Sequence, residues 1–143
     1  MRISTKGRYA LRMMLDLGLH NTGKPIRVKE IAARQEISDK YLEQIVAVLN
    51  KAGYVRSVRG PQGGYLLTRP AEEYTVGMIL RLTEGSLAPV ECLDDMGECD
   101  KSDDCITLLV YQKMNEAVNN VIDHITLADL IGWKLQKEGD YSI

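Results

Sequence analysis

The chain carries three cysteines, Cys92, Cys99 and Cys105, gathered in one stretch with the spacing C-x6-C-x5-C. That stretch, VECLDDMGECDKSDDC, also holds Gly97 and five aspartates. A disulfide framework uses an even number of cysteines spread along a chain. Structural cysteines sit among apolar residues rather than beside charges. Three thiols on one polar loop can instead converge on a metal centre. Thiolates are the soft ligands that zinc and iron–sulfur clusters take, usually four per site, so one ligand has to come from elsewhere. Thiol redox chemistry without a metal, and cysteines with no special role, are the alternatives that the spacing leaves open.

Candidates for the fourth ligand are His20, His124, Glu43 and the carboxylates of the loop itself. A loop carboxylate is preferred, because Asp94, Asp95, Glu98, Asp103 and Asp104 crowd the cysteines. The same carboxylates would also keep an exposed loop soluble. Each histidine lies near the end of an expected helix, where a cation complements the helix dipole.

The formal charge of −2 conceals a split. Residues 1–70 hold 13 Lys/Arg against 5 Asp/Glu, and residues 71–143 hold 5 against 15, so the halves carry +8 and −10. A basic half suggests a polyanion partner such as DNA, RNA or acidic lipid. A solvated charged face is the plainer alternative.

Elements must position these groups. Residues 8–20 predict a helix, with Ala10, Met13, Met14 and Leu17 at helical spacing. A short helix carrying Val28, Ile31 and Ala32 follows. After a tight Glu36-Ile37-Ser38 connection, Ser38 caps a helix from Asp39 to Ala52. Leu42, Ile45, Val46 and Leu49 are its buried stripe, and Gly53 suits its end. Tyr54–Arg59 and Tyr65–Thr68 then read as strands around the turn Gly60-Pro61-Gln62-Gly63-Gly64. Thr75 caps a helix that ends near Gly85. From about Ile106 the chain is helical again, with Val110, Met114, Ala117 and Val121 forming a narrow seam suited to a partner helix. Packing within the chain is the alternative for that seam. Thr126 and Asp129 mark a further helix start, followed by Leu127, Leu130, Ile131 and Leu135. Trp133 is expected to be a packing anchor.

Two short helices joined tightly and followed by a hairpin describe a winged helix-turn-helix. The fold class expected is mainly α with a small β-hairpin wing, plus a C-terminal dimerisation helix. Three units follow: residues 1–85 for DNA binding, 86–105 for the cysteine loop, and 106–143 for dimerisation and the C-terminal helices. The stripe of the second helix leaves Lys40, Tyr41, Glu43, Gln44, Ala47 and Lys51 facing away from the core. Gln44 can pair with adenine N6 and N7, and Glu43 can accept from cytosine N4. Glu43 would be repelled by phosphate, so it would add selectivity rather than affinity. Lys40 and Lys51 are placed at phosphates, with Ser38 counted among the DNA-binding residues. Lys6, Arg8 and Arg12 add phosphate contacts from the first helix, and Tyr9 either donates to phosphate or packs in the core. Arg56, Arg59 and Gly60 belong to the wing, where Arg59 can enter a narrow minor groove.

The segments STKGRYAL, ISDKYLEQIVAVLNKAGYVRSVRGPQGGYLL and ITLADL, with the three-cysteine loop, resemble the IscR/NsrR/CymR family of bacterial winged-helix transcriptional regulators. The resemblance spans nearly the whole chain and is strongest toward the IscR-type members. It implies a homodimeric repressor or activator whose long C-terminal helix crosses that of its partner. For members with three loop cysteines it implies an iron–sulfur cluster on Cys92, Cys99 and Cys105, with [2Fe–2S] favoured over [4Fe–4S]. Two departures stand out. The first two cysteines are one residue further apart than in the IscR pattern, and the histidine that serves there as fourth ligand corresponds to Leu108. The aspartate ligand of NsrR-type members corresponds to Arg8. CymR-type members lack the loop cysteines.

Other classes are excluded or held as alternatives. No G-x-S-x-G, phosphate loop or H-E-x-x-H is present, so no enzyme is expected. No apolar run approaches the length of a membrane span. Arg12 and Asp16 interrupt the first apolar stretch, and no cleavage site follows, so a cytosolic chain without a signal peptide is expected. Free thiols fit a reducing compartment. The competing functions are a cluster-free thiol redox regulator and an adaptor that binds a metabolic enzyme.

Overall fold

The computed structural model describes residues 2–93 and 106–140. Helix α1 runs over Thr5–Leu19 and buries Ala10, Met13, Met14 and Leu17. It begins before the expected residue 8 because Ser4 caps it, its Oγ accepting from the Gly7 amide at 3.1 Å. Helix α2, Val28–Gln35, buries Val28, Ile31 and Ala32. It stops at Glu36, which adopts a left-handed conformation (φ 56°). Helix α3 spans Asp39–Lys51 under a Ser38 cap and buries all four stripe residues. Leu42, Ile45 and Leu49 are wholly enclosed, each stabilising the fold by about 1.5–3 kcal/mol relative to exposure.

Strands β1, Val55–Val58, and β2, Gly64–Leu67, pair antiparallel, with Val55 opposite Leu67 and Val58 opposite Gly64. Strand β1 is one residue shorter at each end than the sequence suggests, and β2 keeps the expected length but starts one residue earlier. An isolated antiparallel bridge joins β2 to Ile26, two residues before α2. The Tyr65 amide donates to the Ile26 carbonyl at 2.8 Å, and the Ile26 amide donates back at 3.0 Å. A side chain at Gly64 would place its Cβ 2.4 Å from that carbonyl oxygen. Gly64 also has φ 151°, so only glycine suits the position.

A 3-10 turn at Ala71–Glu73 leads to α4, Val76–Glu84. Tyr74 between them is wholly buried. Its hydroxyl donates to the Tyr54 carbonyl at 2.6 Å and accepts from the Thr68 and Arg69 amides at 3.0 and 3.1 Å. Helix α5 covers Ile106–Ile122 and α6 covers Leu127–Asp140. Thr126 and Asp129 cap α6 reciprocally at 2.9 and 3.1 Å. A bridge between Thr75 and Thr126 ties the starts of α4 and α6.

The result is a mainly helical winged helix-turn-helix with a two-stranded wing. Helix α1 is its axis and packs against α2, α3, α4 and α6. The main core gathers its buried face with those of α2 and α3, together with Val55, Tyr74, Ile79 and Leu127. A smaller cluster joins Val76, Leu80, Leu87 and Ile122. Asp16 is a buried charge in this frame. Arg34 grips it with two bonds at 3.0 and 2.7 Å, and Gln35 adds one at 3.0 Å. The bond to Asp16 raises the Arg34 pKa above its ordinary value, and the group locks α2 onto α1. Trp133 is not the packing anchor expected: it is 55% exposed. The inward positions of α6 are taken by Leu127, Leu130 and Ile131. No described helix is long and apolar enough to cross a membrane.

Candidate nucleic-acid interface and the cysteine segment

Helix α3 presents Lys40, Glu43, Gln44, Ala47 and Lys51 to solvent, while its stripe is enclosed. Ser38 is exposed at the start of this face, though its Oγ is occupied by the Tyr41 amide at 3.2 Å. Tyr41 differs from its expected outward placement. It is half-buried, and its ring meets that of Tyr9 edge-on with centroids 5.7 Å apart. Tyr9 is therefore also a packing residue, and this contact sets α3 against α1. Lys6 is half-buried and Arg8 exposed on α1. Arg12 is engaged elsewhere: Nε donates to Gln35 Oε1 at 3.0 Å, Nη2 donates to the Gln35 carbonyl, and the guanidinium lies 5.2 Å from the Tyr9 ring centre. It joins α1 to the end of α2, a contact with no signal in the spacing of residues.

In the wing, Arg56, Arg59 and Gly60 are all exposed. Gly60 has φ 110°, and its Gly63 partner closes the turn by donating to the Gly60 carbonyl at 3.0 Å. Between α3 and the wing lies a polar groove of about 300 Å³. Glu43 lines it, as do Arg27 and Lys29. Those two cations escape a reading based on the second helix and the wing alone. Their only sequence signal is the general basic surplus of residues 1–70.

The seam on α5 faces outward. Val110, Met114 and Val121 are 55%, 46% and 56% exposed, and Ala117 is exposed with them. Leu108 and Ile122 take the buried positions of α5 instead. Ala117 and Val121 also border an apolar cleft of about 380 Å³, which Ile3, Leu80, Leu87, Val118 and Ile122 complete. Packing among the described residues therefore leaves the seam largely uncovered.

Cys99 and Cys105 lie outside the described residues. Cys92 falls in a 3-10 turn at Glu91–Leu93 that packs against α5. The turn thus brings the start of the cysteine segment to the helix on which the segment ends. Leu108, where the resemblance would have a histidine, is buried. His20 and His124 each turn Nδ1 toward a carbonyl one turn back, at 2.9 Å from Asp16 and 2.7 Å from Asn120. Glu43 belongs to the wing groove. Among the described residues, no three His, Cys, Asp or Glu side chains converge as a metal site would require. Three thiolates nevertheless constitute the right donor chemistry for an iron–sulfur cluster.

The helix-turn-helix, its exposed polar face and the arginine-bearing wing define a winged-helix DNA-binding regulator. The family model named Rrf2, described as an iron-dependent transcriptional regulator, matches residues 3–132, and the chain belongs to this family. It is 40% identical to the HTH-type transcriptional regulator IscR of Serratia proteamaculans over 131 residues, which is 92% of this chain and 79% of that protein. The structure of CymR, the global cysteine regulator of B. subtilis, superposes with a TM-score of 0.78 at 38% identity, covering 93% of this chain and 98% of that one. T. potens IscR gives 0.76 at 39%, covering 100% and 92%. The family is one of regulators, not enzymes, in agreement with the sequence motifs.

Proposed function

We propose that the chain acts as a homodimeric, sequence-specific transcriptional regulator that senses iron–sulfur cluster status through Cys92, Cys99 and Cys105, with [2Fe–2S] favoured over [4Fe–4S]. The observation that carries this reading is positional. In an Rrf2-family chain, a base-reading helix face and an arginine wing sit in one body, and all three cysteines lie between α4 and α5. When bound, the cluster supplies a redox- and supply-sensitive centre held by soft thiolates.

The chain's own residues do the rest. Helix α3 enters the major groove, Gln44 reads adenine and Glu43 selects for cytosine. Lys40 and Lys51 hold phosphates, with Lys6 adding a contact from α1. Arg59 and Gly60 approach the minor groove, and Arg56 supports them from the strand. Val110, Met114, Ala117 and Val121 meet the same helix of a second copy, and the resulting two-fold symmetry matches a palindromic site. Leu87, at the start of the cysteine segment, packs with Leu80 of α4 and Ile122 of α5. Order in that segment therefore bears on how α5 is held.

The test is iron and sulfide quantification, with an absorption spectrum, on anaerobically purified protein and on Cys92→Ala, Cys99→Ala and Cys105→Ala. Loss of iron, sulfide and visible bands in each variant is expected. Wild-type content in all three sinks the cluster assignment. The buried Leu108 favours a second reading, in which the cysteines act as redox-active thiols without a cluster. In that case the wild-type protein is colourless, and oxidation alone alters its DNA binding.

A further inference from the structure

Arg27, which lines the groove between α3 and the wing, makes a further contact that the reading of α3 and the wing does not use. It stands at the N-cap position of α2, where its carbonyl accepts from the helix, yet its side chain makes no capping bond. Its Nη2 donates instead to the carbonyl oxygen of Pro61, at the tip of the wing. The preceding residue, Ile26, makes the two-bond bridge to Tyr65. The start of α2 therefore grips the hairpin twice, by backbone on β2 and by side chain at the tip. Between these holds lies the polar groove that separates Glu43 of α3 from Val58 and Gly60 of the wing.

The tip needs such a hold. Gly60, Gly63 and Gly64 give it little stiffness of its own, and a Cβ at Gly60 would meet nothing within 4 Å. Pro61 is two residues from Arg59, so fixing its carbonyl fixes the direction in which Arg59 leaves the hairpin. A tip ordered in advance loses less freedom on binding than one ordered by its ligand.

We propose that Arg27 is a positioning residue for DNA recognition: its bond to the Pro61 carbonyl sets the distance between the wing arginine Arg59 and the reading face of α3. This deepens the reading of α3 and the wing as two contacts on one half-site, and rests on it. Arg27 acts through Arg59, not by touching DNA. Sequence preference should accordingly extend to the spacing between the major-groove and minor-groove parts of each half-site.

The test is a double-mutant cycle on the full chain, read by Kd. The probe is the duplex that the wild-type protein enriches from a randomised pool, alongside the same duplex with one base pair inserted between the two contacts. Arg27→Ala is expected to weaken binding by about three- to tenfold, the worth of one ordered hydrogen bond. It should also narrow the gap between the two duplexes, while the urea midpoint stays close to wild type. In an Arg59→Ala background, Arg27→Ala should cost nothing further, and Arg27→Lys, which keeps a donor, should restore part of the loss in the single variant. Equal losses in both backgrounds would make Arg27 a direct phosphate contact and overturn the proposal, as would wild-type binding by Arg27→Ala. If Arg59→Ala itself binds like wild type, the wing assignment fails and this inference fails with it.

Discussion

Arg81 of α4 and Asp123, just beyond the end of α5, form a two-point guanidinium–carboxylate pair, at 2.5 Å for Nη1–Oδ1 and 3.0 Å for Nη2–Oδ2. Asn119 accepts from the same Nη2 at 2.8 Å. Gly77 lies beneath, and a Cβ there would stand 2.2 Å from the Asp123 oxygen. The hydrogen bond from Arg81 pulls the Asp123 carboxyl below its ordinary pKa and raises that of Arg81. This pair is a polar link between α4 and the end of α5.

A pH dependence follows from that link. Because the folded-state pKa of Asp123 is depressed, its stabilisation is present above the ordinary carboxylate range and fades as pH falls through the lowered value. Both side chains are 40% exposed, so solvent screening keeps the effect below about 1 kcal/mol. Asp123→Asn should be slightly less stable than wild type in urea at pH 7. The gap should close as the pH is lowered below the carboxylate range.

Tyr74→Phe removes one oxygen from a buried junction. The Tyr54 carbonyl loses its donor, and the Thr68 and Arg69 amides lose their acceptor. A loss of about 1–3 kcal/mol is expected, seen as a lower urea midpoint with an unchanged slope. Wing and core should loosen together.

Base readout is tested at Gln44. Gln44→Ala should relax selectivity at one position of each half-site, costing about 1–3 kcal/mol of discrimination. Arg59→Ala should weaken binding most at sites with narrow minor grooves. Binding measured across a panel of single-base variants separates the two effects.

Assembly is tested at Val121. A charge there, Val121→Glu, would sit in the proposed contact between copies and beside the apolar cleft of Ile3, Leu80 and Leu87. Sedimentation should show monomer, and operator affinity should fall with it. A dimer of unchanged affinity would remove the seam from the interface.

Much of this architecture was legible in the sequence, because periodicity reports burial directly. The stripe Leu42, Ile45, Val46 and Leu49 is buried as read, and Ser38, Thr75 and Thr126 cap the helices they announce. The exposure of Val110, Met114 and Val121 was legible only as an ambiguity, since an apolar residue looks the same whether its own chain or another covers it. Polar pairs distant in sequence left no trace: nothing in the spacing ties Arg34 to Asp16, Arg12 to Gln35 or Arg27 to Pro61. Glu36 gives no warning of its left-handed turn, because its conformation is imposed by the fit of α2 to α3. Trp133 was misjudged on size, as bulk favours burial only where the helix face points inward.

The bridge between Ile26 and Tyr65 has a mechanical consequence. It makes the hairpin an extension of the segment that launches α2, so the wing cannot swing as a separate lever. Reading helix and wing form a single stylus of fixed shape. A regulatory signal arriving through the α4–α5 side then has one variable left to adjust, namely the angle at which that stylus is carried. Regulation by this chain should appear as altered tolerance to the spacing between the two half-sites, with the bases preferred within each half-site unchanged.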